Sequence, residues 1–213
     1  MSMIDEPLRV IKIGGSLLDQ FHLADALQTW RRSTRAMREV FLTGGGPLVE
    51  SIRNFDKIHP IDPEICHWLA VDAVSLTARM VSAVLPESRI LEADGYCFEA
   101  EKDHKFTLLD VGHFLREEEP RRDGTRLPHS WAATSDSIAA RIAEIYGADE
   151  LVLLKSTLPA DCTDWQSAAN SGFVDTHFPL AVKTIKRAYC VDIADPLQRH
   201  WEPSAIESNR PKT

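Results

Sequence analysis

Two glycine-rich turns near the start of the chain contain the residue types that bind phosphate. The first turn is Lys12-Ile13-Gly14-Gly15-Ser16 and the second is Thr43-Gly44-Gly45-Gly46-Pro47; each follows a short apolar run and precedes a helical pattern. Glycines let the backbone approach a ligand closely and present N–H groups at a helix N-terminus, and both properties favour phosphate binding. The ammonium of Lys12 can lie over the same anion. The two turns therefore predict a small molecule held opposite a nucleotide.

A third segment places a carboxylate at the junction of a strand and a helix. Thr134-Ser135-Asp136 precedes a helical pattern, which Thr134 or Ser135 can cap and which Gly147 can end. The next predicted strand, 150–155, ends in Lys155. By itself, an aspartate at this position is more often a helix cap than a site residue. Because ligands of open α/β sheets bind at such junctions, and because two lysines on strands accompany it, we assign Asp136 a functional role.

The remaining apolar patterns repeat the order strand, turn, helix. Short apolar runs predict further strands at 39–42, 89–91 and 106–109, and helical spacing follows residue 17 and begins again at Pro47. Asp62-Pro63 is a helix-start signal for a long amphipathic helix that ends before Pro86. This helix carries large apolar residues over many turns. It can pack on its own sheet or form a dimer, and the sequence favours neither alternative.

The composition limits the class of protein. At 213 residues, with 44% hydrophobic and 26% charged residues, the chain has the composition of a soluble globular protein with one sizeable core. The net charge of −8 argues against a general nucleic-acid binder. No apolar run approaches the roughly 20 residues of a membrane span, and residues 1–7 lack a signal-peptide pattern. The cysteines are scattered and the histidines lack ligand spacing, so we expect a cytoplasmic protein with reduced thiols and no metal-binding side chains.

One charged segment is expected to lie at the surface. Residues 116–129 contain two prolines, a glycine and many charges, which predicts a mobile connection or a lid. Within this segment, the run Glu117-Glu118-Glu119 is typical of a solvated face. Neither feature by itself indicates chemistry.

Taken in order, the motifs resemble the amino acid kinase superfamily. The matching pieces are the two glycine turns, the segment Thr134-Ser135-Asp136-Ser137-Ile138-Ala139, and the strand 151–155 after Gly147-Ala148-Asp149. They span residues 8 to about 156 in the family's order. The chain has no G-x-x-x-x-G-K-[ST] loop and no G-x-G-x-x-G after a strand, which excludes two other nucleotide-binding classes. The resemblance implies an α/β fold, a three-layer αβα sandwich with an open, mainly parallel central sheet.

The resemblance also implies one domain over 1–213, with an acceptor-binding half at about 1–130 and a shortened nucleotide-binding half at about 131–213. Lys12 would neutralise negative charge on the phosphoryl group during transfer, and Asp136 would orient the lysines. ATP would be the donor, with Mg²⁺ bridging its phosphates. The phosphates would be held by the N–H groups of Gly14, Gly15 and Ser16, and the acceptor site would be lined by Thr43, Gly44, Gly45, Gly46, Thr134 and Ser135. Such a site works by positioning and charge neutralisation.

The chain departs from the family pattern after strand 151–155. It continues with Lys155-Ser156-Thr157-Leu158, and it lacks the late Gly-Gly-Met segment that carries a second catalytic lysine in many relatives. Lys155 is the best replacement, because it stands at the C-terminal end of a strand, and with Ser156 it is assigned to the nucleotide site. Lys183 and Lys186 fit an exposed helix face better.

The short length and the segment 173–179 resemble the short archaeal-type members of the superfamily. This resemblance implies transfer of the γ-phosphoryl group of ATP to a phosphate monoester, such as an aminomethylfuran-methanol phosphate in methanofuran-type one-carbon cofactor biosynthesis. The alternatives are a carboxylate or nucleoside monophosphate acceptor, a non-catalytic nucleotide- or anion-binding member, and an assembly subunit that acts through the helix at 61–84. We expect a homodimer or higher homo-oligomer with no nucleic-acid or membrane partner.

Overall fold

A mainly parallel sheet lies at the centre of the computed structural model, which describes residues 6–20, 22–92, 106–124, 126–195 and 197–203. Within these residues the sheet has seven strands in the order β3-β4-β2-β1-β5-β6-β7. All neighbouring strands are parallel except β6 and β7, which are antiparallel. The strands are β1 (Leu8–Ile13), β2 (Arg38–Thr43), β3 (Ser88–Leu91), β4 (Phe106–Leu109), β5 (Glu150–Lys155), β6 (Arg187–Asp192) and β7 (His200–Trp201).

The described α-helices occupy both faces of this sheet. Three short turns are 3₁₀-helical, at Gly15–Leu17, Glu119–Arg121 and Val182–Thr184, and one is π-helical, at Phe114–Glu118. Among the described residues, no helix combines the length and apolarity that a membrane span requires. The helices are α1 (Leu23–Ser33), α2 (Gly46–Ile58), α3 (Pro63–Val84), α4 (Val111–His113), α5 (Ser135–Ile145), α6 (Trp165–Asn170) and α7 (Phe178–Ala181).

Two separate apolar cores make the architecture three-layered. One core packs side chains of α3, α5, α6 and α7, such as Val74 and Ile138, against one face of the sheet. The other core packs Leu27 and Trp30 of α1, with the C-terminal end of α3, against the opposite face. Burial of apolar surface on both faces explains why the central strands are mainly apolar and do not alternate regularly with polar residues. The expected αβα sandwich with a mainly parallel sheet is confirmed.

The alternation of side chains along a strand decides where the two strand lysines lie. Side chains at every second position share one face of a sheet. Lys12 is two residues after Val10 in β1, and Lys155 is two residues after Leu153 in β5; Val10 and Leu153 both belong to the core on the α5 side. Because β1 and β5 are parallel neighbours, both lysines emerge on that side, at the C-terminal edge of the sheet.

The helix starts agree with the signals in the sequence at two positions and differ at a third. Pro47 lies in the first turn of α2, and the Asp62 carboxylate caps α3 by accepting from the backbone N–H of Glu64 at 3.0 Å. Helix α3 ends at Val84, as predicted. The expectation that the first glycine turn leads directly into a helix is wrong, because only a 3₁₀ turn follows it and α1 begins at Leu23.

Two of the three residues in the acidic run at 117–119 do not face solvent. Glu117 is exposed, whereas Glu118 and Glu119 are buried. Glu119 forms an ion pair at 3.4 Å with Arg141 of α5, and the Glu118 carboxylate accepts from the hydroxyl of Tyr146 at 3.1 Å. Arg141 is itself almost completely buried, and a buried guanidinium needs a carboxylate partner. Glu118 and Glu119 therefore pack against α5 and Tyr146 instead of facing water.

Candidate active site

A buried aspartate lies between the two strand lysines. The Asp136 carboxylate approaches Lys12 Nζ through Oδ1 and Lys155 Nζ through Oδ2, each at 2.9 Å. Lys155 Nζ also donates a hydrogen bond to the carbonyl of Phe173 at 2.9 Å. Lys12 and Asp136 are each only 4% exposed, and Lys155 is half-buried. The structure thus brings together the three residues that the sequence assigned to catalysis, although they come from β1, α5 and β5.

Burial and charge act against each other in this cluster. Burial lowers the pKa of Lys12, and the nearby carboxylate of Asp136 opposes that effect. Burial would raise the pKa of Asp136, but the charges of Lys12 and Lys155 outweigh it and lower that pKa to about 2. Asp136 is therefore ionised at neutral pH. With both lysines protonated, the cluster carries one net positive charge, which suits an anionic ligand.

The two glycine turns touch each other at the same edge of the sheet. A Cβ on Gly15 would lie 2.6 Å from the backbone N of Gly46, and a Cβ on Gly44 would lie 2.8 Å from the N of Gly15. A Cβ on Gly14 would lie 2.7 Å from the carbonyl oxygen of Leu154. Gly46 also has a φ of +52°, a conformation that favours glycine. The glycines therefore allow β1, β2 and β5 to bring their C-terminal ends together around one point.

Three of the expected ligand contacts are used by the fold itself. The N–H of Gly14 donates to the carbonyl of Leu154 at 2.8 Å, so the expectation that it binds phosphate is wrong. The Thr43 side chain is fully buried and its hydroxyl contacts the hydroxyl of Thr77 at 2.9 Å, so it anchors α3 rather than lining a ligand site. The N–H of Gly44 likewise donates to the carbonyl of Ile13.

Other expected contacts are still available for a ligand. The N–H groups of Gly15 and Ser16 make no backbone hydrogen bond to any described residue. The Ser16 hydroxyl lies 2.9 Å from that of Ser156, which joins the first glycine turn to the segment after β5. Lys186 pairs with Asp149, which immediately precedes β5 and lies far from Lys155 at its C-terminal end. Lys155, Lys183 and Lys186 are the candidates for the second catalytic lysine. Among the described contacts, Lys155 pairs with Asp136, whereas Lys183 is exposed and Lys186 pairs with Asp149.

A residue that sequence reasoning missed holds the helix that carries Asp136. Asp175 Oδ2 accepts from the backbone N–H groups of Thr134 at 2.8 Å and Ser137 at 3.0 Å, and from the hydroxyl of Thr134 at 2.9 Å. Thr134 is the N-cap residue of α5, one of the two positions predicted, but its side chain makes no cap bond, and Asp175 accepts from the first N–H groups instead. No local pattern could identify Asp175, which lies about 40 residues further along the chain.

A cavity of about 370 Å³ lies beside the second glycine turn, between α2, α3 and the segment before α5. Gly45, Thr134 and Ser135 line it beside the glycine turns, and Asp56 and His67 line it elsewhere. Its volume is that of a small-molecule site. In the described residues, no group of three or more His, Cys, Asp or Glu side chains could hold a metal ion.

Comparison with known protein families identifies the family of this chain. The model of the amino acid kinase family matches residues 7–157, which is most of the chain. The chain belongs to the amino acid kinase family. Membership in this family, together with the kinases that resemble the chain, supports the expectation of a phosphotransferase.

Individual relatives are similar to the chain at lower identity. A [5-(aminomethyl)furan-3-yl]methyl phosphate kinase of Methanocaldococcus jannaschii is 26% identical over 150 residues, which cover 68% of this chain and 64% of that relative. The chain thus aligns with slightly less than two thirds of the relative's length. The uridylate kinase of Archaeoglobus fulgidus superposes with a TM-score of 0.57 at 17% identity, covering 85% of this chain and 89% of that one. The UMP kinase of Ureaplasma parvum superposes with a TM-score of 0.60 at 15% identity, covering 90% of this chain and 92% of that one. These structures support the fold alone.

Proposed function

We propose that this chain is a kinase that transfers the γ-phosphoryl group of ATP to a phosphate monoester. The observation that carries the proposal is the buried cluster of Lys12, Asp136 and Lys155 at the point where both glycine turns meet. Phosphoryl transfer requires cations and N–H groups around the transferring group more than it requires covalent chemistry. The cluster offers that environment in a site shielded from water, where charge acts more strongly.

The roles of the residues follow from their positions. Lys12 and Lys155 neutralise charge on the phosphoryl group, and Asp136 fixes the positions of both ammonium groups. The acceptor phosphate oxygen attacks the γ-phosphorus, the bond to the β-phosphate oxygen breaks, and the products are ADP and a diphosphate ester. The proposed acceptor site is the 370 Å³ cavity, which residues between Gly45 and Ile138 line. The proposed nucleotide site lies in the half at about 131–213, near the C-terminal ends of β5 and β6.

The residues at the cluster fit a nucleotide triphosphate with its metal ion. The N–H groups of Gly15 and Ser16 and the positive charge of the lysines suit phosphate. Mg²⁺ supplies charge neutralisation across the nucleotide phosphates when it is bound. The described residues contain no cluster of three acidic, histidine or cysteine ligands, so the proposed ion is held mainly by the phosphates.

The proposed acceptor is a monoester of the kind in the name of the Methanocaldococcus relative, [5-(aminomethyl)furan-3-yl]methyl phosphate. The test is direct phosphoryl transfer. The protein is incubated with ATP and Mg²⁺ and with this monoester, uridine monophosphate, aspartate or acetylglutamate, and the products are separated by chromatography. We expect a diphosphate from the furan monoester. A product from only a carboxylate or from uridine monophosphate would contradict the proposed acceptor, and no product with intact ATP binding would favour a non-catalytic member.

We also propose that the chain forms a homodimer through α3. Five large apolar side chains of this helix are exposed: Ile65, Leu69, Leu76, Met80 and Val84. Their spacing places them in one stripe on the helix, and contiguous exposed apolar surface of this kind marks an interaction site. Replacement of Leu69 by glutamate should convert the dimer to a monomer in sedimentation velocity, while the same change at the solvated Arg32 of α1 should not. A wild type that sediments as a monomer at micromolar concentration would contradict this proposal.

A further inference from the structure

The cavity beside the second glycine turn has apolar walls and a carboxylate in one region. At its other region it is lined by Gly45 of the glycine turn and by Ser135, which immediately precedes Asp136 of the cluster. Its walls include Val49, Val71 and Ile138. Asp56 follows Gly45 by eleven positions along α2, which sets these two lining residues about 16 Å apart along the helix axis. A molecule that fills the cavity therefore reaches from the second glycine turn to Asp56.

Asp56 presents a fixed carboxylate to this far region. Its Oδ1 accepts from the backbone N–H of Ile61 at 3.0 Å, and its Oδ2 accepts from Trp131 Nε1 at 3.0 Å. These two hydrogen bonds, with a third from the thiol of Cys66, lower the pKa of Asp56 and keep it ionised. A carboxylate has about four lone-pair sites, so one remains for a ligand. The carboxylate is thus held in place and still able to bind a ligand.

No cation of the described chain neutralises this carboxylate. The nearest guanidinium, that of Arg53, stacks on the ring of Trp131 and forms its ion pair at 3.0 Å with Glu50. Among the side chains that the structure describes, none forms an ion pair with Asp56. A negative charge beside an apolar cavity favours a cationic ligand group, since the pair gains more there than in bulk water.

A second observation at the same region also indicates a ligand. His67 lines the cavity and is 91% buried, since its exposed fraction is 9%, yet its Nε2 has no hydrogen-bond partner. Burial lowers the pKa of His67 to about 4, so the ring is neutral at pH 7 and does not repel a cation. A neutral imidazole nitrogen can accept a hydrogen bond, and buried polar groups that lack a partner call for an explanation.

We propose that the far region of the cavity binds the protonated amine of the acceptor, with Asp56 as its counter-charge and His67 as a second hydrogen-bond acceptor. The acceptor is then a zwitterion: a phosphate monoester and an ammonium group joined by a flat apolar ring. This inference rests on the proposed kinase function and deepens it, because it assigns acceptor specificity to two residues outside the lysine–aspartate cluster. Asp56 and His67 determine specificity and take no part in the transfer step.

The test compares two acceptors in two proteins. The acceptors are [5-(aminomethyl)furan-3-yl]methyl phosphate and the same monoester with a methyl group in place of the aminomethyl group. We expect wild type to lose at least tenfold in kcat/KM, mainly through KM, when the amine is absent, since a charged hydrogen bond is worth about 10- to 100-fold. Asp56→Asn should cause a similar loss for the amine acceptor and change the amine-free acceptor by less than about threefold.

The outcomes separate this inference from the kinase proposal. Asp72→Asn is the matched control, because Asp72 is an exposed aspartate of α3 and is paired with Arg116; it should leave both acceptors unchanged. Equal use of the two acceptors by wild type would overturn the role of Asp56 and leave the kinase proposal standing, and this comparison does not depend on whether a variant folds. If neither acceptor is phosphorylated, the kinase proposal fails. Calorimetric titration of both monoesters then decides the inference, and equal binding or no binding of the two would overturn it.

Discussion

Replacement of Lys12 by methionine should lower kcat for phosphoryl transfer by about 10³-fold. Loss of one preorganised charged group at a transition state costs about 10²- to 10⁵-fold in comparable sites. Lys12 lies in a nearly water-free position 2.9 Å from Asp136, so no solvent cation or neighbouring side chain can replace it in the same place. Methionine keeps the length of the side chain and removes only the charge. The measurement is kcat with saturating ATP and Mg²⁺.

The Lys12 variant should remain folded and should still bind ATP. Asp136 keeps Lys155 as a partner at 2.9 Å, so the substitution does not leave the buried carboxylate alone. Lys186→Met is the matched control, because that lysine is exposed and pairs with Asp149 outside the cluster. It should change kcat by less than twofold. A Lys12→Met protein that keeps more than a tenth of wild-type kcat would remove Lys12 from the proposed mechanism.

Replacement of Asp136 by alanine should have the largest effect on stability. The change leaves two ammonium groups beside each other with their shared carboxylate removed, and loss of one partner from a buried ion pair costs about 3–5 kcal/mol. Urea unfolding at pH 7 measures the change in the free energy of unfolding. Asp72→Ala removes an aspartate from an exposed pair with Arg116 and should change that free energy little. Equal effects of the two substitutions would contradict the structural role of Asp136.

The difference in unfolding free energy between wild type and Asp136→Ala should depend on pH. The pKa of Asp136 falls from its ordinary value of 3.8 to about 2 in the folded protein, because the charges of Lys12 and Lys155 outweigh burial. The folded state then binds protons less readily than the unfolded state. Its contribution to stability is complete above about pH 4 and is lost as the pH falls towards 2. The difference in unfolding free energy between wild type and Asp136→Ala should therefore shrink over that range; a constant difference from pH 7 to pH 2 would argue against the ion pair.

The local patterns of the sequence were sufficient to predict much of the fold. Apolar runs predicted β1, β2, β3, β4 and β5, and the signals at Pro47 and Asp62 predicted where α2 and α3 begin. These predictions succeed because a strand in a buried parallel sheet and a helix start each depend on residues a few positions apart. The ordered motifs also predicted the family, because residues at fixed places in a chain order constrain a fold more than any one motif does.

The sequence also identified the three charged residues of the cluster, through the position of each at the end of a strand or the start of a helix. It could not show that they meet. They meet because the strand order places β1 beside β5. They also meet because α5 packs on the face of the sheet from which the side chains of Lys12 and Lys155 emerge. Hydrophobic periodicity gives the face of each element, but only packing decides which elements share it.

What the tertiary structure alone decided concerns polar groups whose partners are distant in the chain. Asp175 holds the start of α5 from about 40 residues away, Thr43 uses its hydroxyl for α3, and Glu119 is buried against Arg141. The cavity with Asp56 and His67 likewise appears only when α2 and α3 pack beside the segment before α5. The physical reason is that a buried polar group needs a hydrogen-bond or ion-pair partner, and packing decides which residue is close enough to be that partner. The spacing of residues along the sequence does not indicate which residue this is.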